Sequence, residues 1–260
     1  MRLYWRLAKA GIRAKLQYRW DFAFTTLLYA GLTLTDFLTV AAILLRFHSV
    51  AGWNLYEVAL LAGIVSCSTG LFRVFAAELD GFERYLVTGE FDQLLIRPWP
   101  VLANLLARNF ELGRLGGVLQ GALVMALGLR GALAQGAPAW LPAYALLLPL
   151  AGAVVQVAIA LATATAGFWI IRIEDLAIFS RNAPLTAANY PGEIYPRWLR
   201  YLLTSFLPVL AVGYLPLRFA LGKGGSALSL AAPLLAAGLS LALGLWLWGW
   251  GVRHYQSTGS

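Results

Sequence analysis

Long apolar runs, separated by short segments that carry arginine, recur along the whole chain. A transmembrane helix needs about 20 consecutive, mostly apolar residues. Each charge at mid-bilayer costs about 2.5–3.5 kcal/mol on insertion scales, so charged positions mark the ends of crossings. On this basis residues 22–45 predict a first span, interrupted once by Asp36, and 56–77 a second, with Glu57 at its start and Arg73 near its end. Residues 108–129 predict a third span, whose apolar centre lies between Arg114 and Arg130. No charge occurs between Arg130 and Arg172, and Gly136 with Pro138 makes a turn inside that interval, leaving 141–171 as a long fourth helix. The last span is 228–250, where Trp246, Trp248 and Trp250 precede Arg253 and read as an interfacial anchor.

Residues 174–221 admit two arrangements. In one, 174–194 is the fifth span despite Arg181, Asn182 and Glu193, and 198–221 enters the outer leaflet and returns, broken by Pro208 and Pro216. In the other, the segment from Arg172 to Arg200 is a cytoplasmic loop and 201–221 crosses. Periodicity does not choose between them, and both give six spans. The expected fold is therefore an all-α polytopic membrane protein, a single transmembrane domain over 1–260.

Charge then sets the orientation. Arg2, Arg6, Lys9, Arg13, Lys15 and Arg19 precede the first span, and the segment after the second holds Arg73, Arg84, Arg97, Arg108 and Arg114. The short loops near Arg46 and Arg130 carry one basic residue each. By the positive-inside rule both termini are cytoplasmic, and the membrane is expected to be of the bacterial inner type. Residues 1–20 read as an amphipathic interfacial helix, with a basic stripe for anionic lipid and Leu3, Leu7, Ala10 and Ala14 beside it. The apolar segment that follows is too long for a cleavable signal.

Composition excludes a soluble globule, because only 12% of the residues are charged and 60% are hydrophobic, with a mean hydropathy of +0.70. An ordinary soluble domain carries roughly 25% charged residues. The net charge of +8 is topological, since the basic residues border the spans and form no nucleic-acid stripe. Cys67 stands alone and His48 and His254 lie far apart, so no intrachain disulfide or cysteine-built metal site is expected. No H-E-x-x-H or G-x-S-x-G motif occurs, and Gly222-Lys223-Gly224 lacks the Ser or Thr of a phosphate loop. The chain is expected to be no enzyme and to hold no cofactor.

The segment 80–98 is the most informative. Gly89 can end one short helix and Pro98 another, and Phe91, Leu94 and Leu95 fall at helical spacing between them. The result is a short amphipathic cytoplasmic helix between two crossings. Here Gly89-Glu90-Phe91-Asp92-Gln93-Leu94-Leu95-Ile96-Arg97-Pro98 resembles a motif of the permease subunits of ABC-type exporters, in the branch with six-span subunits. A second block, from Tyr190-Pro191 through Pro196-Arg197-Trp198-Leu199 to Leu207-Pro208 and Leu215-Pro216, is similar to that family's region before the last span.

The resemblance implies that 80–98 is a coupling region docking on a separate ATPase. Phe91, Leu94 and Leu95 would supply the apolar contacts, Glu90, Asp92 and Arg97 the polar rim, and Gly89 and Pro98 the helix ends. It also implies two ATPase subunits that hold ATP and Mg, a second permease subunit of the same or a related kind, and export as the direction of transport. It favours 174–194 as the fifth span and 198–221 as a re-entrant outer segment, with Tyr214 and Pro216 capping the translocation route. Arg181 and Asn182 depart from the pattern, being polar for a span.

Asp36, an intramembrane carboxylate, is by default a pathway residue; the alternatives are an interfacial position or pairing with a base such as Arg181. The small-residue ridges Gly117-x-x-x-Gly121 and Ala232-x-x-x-Ala236-x-x-x-Ser240 permit close helix packing, within the subunit or at a dimer seam. Alternative classes are an ion-coupled secondary transporter, which normally shows repeated halves, and a membrane-embedded lipid-modifying enzyme. The apolar lining suits an exported lipid, amphiphile or drug-like molecule.

Overall fold

The computed structural model describes residues 19–47, 49–108, 111–170 and 172–256. The expected interfacial helix over 1–20 therefore lies almost wholly outside the described residues. The ordered chain runs through α1 (Arg19–Phe47), α2 (Leu55–Ala76), α3 (Phe82–Val87), α4 (Glu90–Leu95), α5 (Val101–Ala107) and α6 (Leu115–Ala134). It continues through α7 (Leu141–Ala145), α8 (Leu148–Ala166), α9 (Glu174–Ala188), α10 (Arg197–Tyr201), α11 (Val209–Val212), α12 (Tyr214–Ala220) and α13 (Ala232–His254). This is an all-α, multi-pass membrane fold.

Among the described residues, Leu55–Val87, Leu112–Ala134, Leu141–Ala166 and Ala232–His254 are each long and apolar enough to cross a membrane. The six expected spans are not all reached by that measure. α1, 29 residues long, packs beside α2 and α6. α9 has 15 residues, spanning about 22 Å at 1.5 Å per residue, and stops at Ala188 because Pro191 follows closely. The expected helix over 141–171 is likewise two pieces ending at Ala166, broken by a turn just before Pro149, whose missing N–H cannot serve Ala145.

α2 is the centre of the bundle, and its start is fixed locally. Asn54 Oδ1 accepts from the amides of Tyr56 at 2.9 Å and Glu57 at 3.1 Å, while Glu57 Oε2 accepts from the Asn54 amide at 2.8 Å. That reciprocal cap satisfies amides a helix start otherwise leaves open. α2 and α6 then approach to backbone contact. A Cβ on Gly63 would sit 2.4 Å from the Met125 nitrogen, and one on Gly121 2.6 Å from the Cys67 nitrogen. The Gly117-x-x-x-Gly121 ridge thus serves packing within the subunit, where close approach lets dispersion act.

Two apolar clusters occupy opposite ends of the bundle. One gathers Trp53, Leu60, Leu61, Leu210, Tyr214 and Leu217. The other gathers Phe72, Phe82, Phe91, Leu94, Leu161 and Trp248. Trp248 is buried there, correcting its expected role as an interfacial anchor, while Trp246 and Trp250 remain exposed. The helical stretches Arg197–Phe206 and Val209–Ala220 are bent by 76° at Leu207-Pro208. The chain before this bent segment meets α2's N-terminal end through Trp53, and the chain after it meets the same end through Lys223. Both flanks of the segment are thus fastened near the start of α2.

Candidate functional site

At the opposite end, Gly89 adopts φ 69°, the left-handed conformation that lets α3 stop and α4 restart at an angle. Positions 91 and 94 share one face of α4, and that face points inward: Phe91 and Leu94 are 0% exposed. Phe91 meets Phe82 at 5.4 Å, Phe168 at 5.2 Å and Tyr255 at 4.8 Å between ring centroids. The partner contacts expected of Phe91 and Leu94 are therefore made within the chain, because distant aromatic residues fill the groove that their face needs. The outward apolar surface is instead Val87, Leu95 and Ile96, the last 85% exposed, with Arg97 and Pro98 exposed beside it.

The polar residues of this surface are braced. Glu90 pairs with Arg108 at 2.9 Å, and the Arg108 guanidinium lies 5.2 Å from the centre of the Tyr85 ring. Burial works against the charge of Arg108, but its hydrogen bonds to Tyr85 and Glu90 outweigh that and hold its pKa above the usual arginine value. Asp92 is half-buried on α4. The surface is thus a rigid, mixed apolar and charged knob seated on an aromatic core.

The knob is tied to α9. Glu83 Oε2 on α3 accepts from the amides of Ile173 at 2.7 Å and Glu174 at 2.6 Å, capping the start of α9. About two turns past the second of these, Arg181 pairs with Asp80, just before α3. Arg181 therefore has its partner at this end of the bundle, and it is Asp80, where Asp36 was one expected choice. Thr163 on α8 and Ser180 on α9 lie 3.0 Å apart and complete the seam.

α9 forms one wall of a cavity of about 390 Å³ with α1, α2 and α6. Tyr29, Thr69, Arg73, Arg114, Asn182 and Thr186 line it. Arg114 lies 3.9 Å over the Tyr29 ring and pairs with Glu111. Asp36 falls on α1, and its side chain lies outside the described residues. Arg73 and Arg114 were legible only as charges flanking spans; their convergence comes from the crossing of α2 and α6.

Tyr214 and Pro216 do not line this cavity. Both are buried at the far end, where the Tyr214 hydroxyl donates to Glu193 Oε1 at 2.7 Å and Trp53 Nε1 donates to Glu193 Oε2 at 3.1 Å. Arg218 stands 3.3 Å from Glu193, and Lys223 3.0 Å from Glu57. This carboxylate-centred clamp fastens the bent segment to α2, a role no spacing in the sequence announced.

The family model described as ABC-2 family transporter protein matches residues 30–259 of the chain. No curated protein matches it.

Proposed function

The chain belongs to the ABC-2 family of transporter proteins, and from that premise we propose that it forms the translocation path of an exporter energised by two separate ATPase subunits. ATP and Mg are held by those subunits, in line with the lack of a phosphate loop here. The ATPases dock on Val87, Leu95, Ile96 and Arg97, exposed at one end of the bundle. That end is cytoplasmic, as are both termini, and the clamped segment over 198–221 is a re-entrant outer plug in a bacterial-type inner membrane. The substrate is a lipid or amphiphile.

One observation carries this reading: the exposed surface of α4 is rigidly joined to the helix that walls the cavity. Phe91 and Leu94 lock α4 to α3 through Phe82, and Glu83 and Asp80 lock the α3 segment to α9. A push on Ile96 is then delivered to α9. α9 also presents Asn182 and Thr186 on an exposed face. Polar groups facing hydrocarbon are costly, so this face belongs against a second permease subunit and the water-filled route between them.

The test is recovery of ATPase on the tagged permease. The double variant Leu95→Asp, Ile96→Asp places two charges in the docking surface and leaves the inward face of α4 untouched; ATPase recovery and transport both fall. Undiminished recovery with intact transport contradicts the proposal.

A further inference from the structure

The cavity between α1, α2, α6 and α9 carries an unbalanced charge. Arg114, Arg181 and Asp80 all lie close enough to Arg73 to act on it. Asp80 is committed to Arg181 and Glu111 to Arg114. Among the described residues no carboxylate lies within 4.0 Å of Arg73, which faces the cavity about one turn before the end of α2. A partly buried guanidinium held near two others is costly unless something anionic meets it.

The cavity is also mixed in character. Arg73 and Arg114 stand at the end nearest α3, and further along α2 and α9 the apolar Ala62, Val65 and Leu185 alternate with the polar Ser66, Thr69, Asn182, Thr186 and Asn189. The run along α2 from 62 to 73 covers about 16 Å at 1.5 Å per residue. A cationic floor beneath a wall that offers the apolar side chains of Ala62, Val65 and Leu185 matches a molecule with a charged head and a hydrocarbon tail. Guanidinium groups favour phosphate and carboxylate oxygens because two N–H bonds can be made in parallel.

We infer that this cavity binds an anionic amphiphile, its phosphate- or carboxylate-type head held by Arg73 and Arg114 and its tail lying along Ala62, Val65 and Leu185. The inference rests on the permease reading above and names its substrate class.

The experiment uses the full chain in a neutral maltoside detergent, titrated with dioctanoyl phosphatidic acid, dioctanoyl phosphatidylcholine and inorganic phosphate in separate arms. Phosphatidic acid binds most tightly. Arg73→Gln weakens it by about tenfold or more, as expected for loss of a charge-assisted hydrogen bond, while Arg73→Lys retains most of it. Leu185→Trp, which fills the apolar wall and alters no charge, gives a comparable loss and serves should Arg73→Gln fail to fold. Phosphatidic acid binding unchanged in both Arg73→Gln and Leu185→Trp overturns the inference. Inorganic phosphate or phosphatidylcholine binding as tightly as phosphatidic acid overturns it too. No ATPase is present, so failure here leaves the docking test standing, and failure of docking leaves this binding unaffected.

Discussion

Removing the Glu83 carboxylate tests the link between the docking surface and the cavity. In Glu83→Ala the amides of Ile173 and Glu174, bonded at 2.7 and 2.6 Å, lose their acceptor. A hydrogen bond to a charged group contributes about 1.5–3 kcal/mol, and loss of a helix cap costs about 0.5–2 kcal/mol. The two bonds share one carboxylate oxygen and Glu174 is exposed, so their joint loss is taken at about 2 kcal/mol, below the sum. At 1.4 kcal/mol per decade, that moves the balance between attached and detached α9 about 30-fold. The docking surface itself is untouched, because neither Leu95 nor Ile96 takes part in these two bonds. ATPase recovery on the tagged permease should therefore stay at the wild-type level while transport per ATP hydrolysed falls severalfold. Glu83→Gln keeps a neutral acceptor and falls between. The assay is reconstitution of the complex in liposomes, with hydrolysis and transport followed together. Wild-type coupling in Glu83→Ala would refute the reasoning, since α9 would then be driven by another route.

Phe91→Ala empties a fully buried aromatic site and should destabilise the chain by about 3–5 kcal/mol, seen as a lower melting temperature in detergent; an unshifted melt contradicts the inward face of α4. On a Cys67→Ser background, a cysteine at Arg197 should be labelled by an impermeant thiol reagent from outside intact cells, as should one at the exposed Ala134. Labelling of Arg197→Cys only after permeabilisation would place 198–221 as a crossing.

Much of this was readable along the chain, and the failures have physical causes. Charge-poor length pointed to α2, α6 and α13, since desolvating a charge is costly, but not to their ends, for α6 runs past Arg130 to Ala134. Asn54 and Glu57 could have been read as a cap, being a short-range pattern. Helical spacing put Phe91, Leu94 and Leu95 together, but spacing cannot say whether a face meets a partner or its own chain. That was decided by Phe82, Phe168, Trp248 and Tyr255, which converge only when the bundle closes. The cavity was hidden for the same reason: Arg73 and Arg114 lie on different helices, and Asn182 counted as an irregularity until α9 faced α2. Glu193, near two prolines, gave no sign that Trp53 and Tyr214 would share its carboxylate.

The central claim is that an ATPase sits on the outer face of α4, and site-specific cross-linking from Ile96 tests it without knowledge of the substrate. A photoreactive amino acid replaces Ile96 in the full chain, with the same replacement at the exposed Leu146, on the neighbouring helix pair, as the control. The account predicts a covalent adduct from position 96 to a nucleotide-binding ATPase subunit, absent from position 146. Absence of that adduct at 96, or equal capture of the ATPase from both positions, would contradict it.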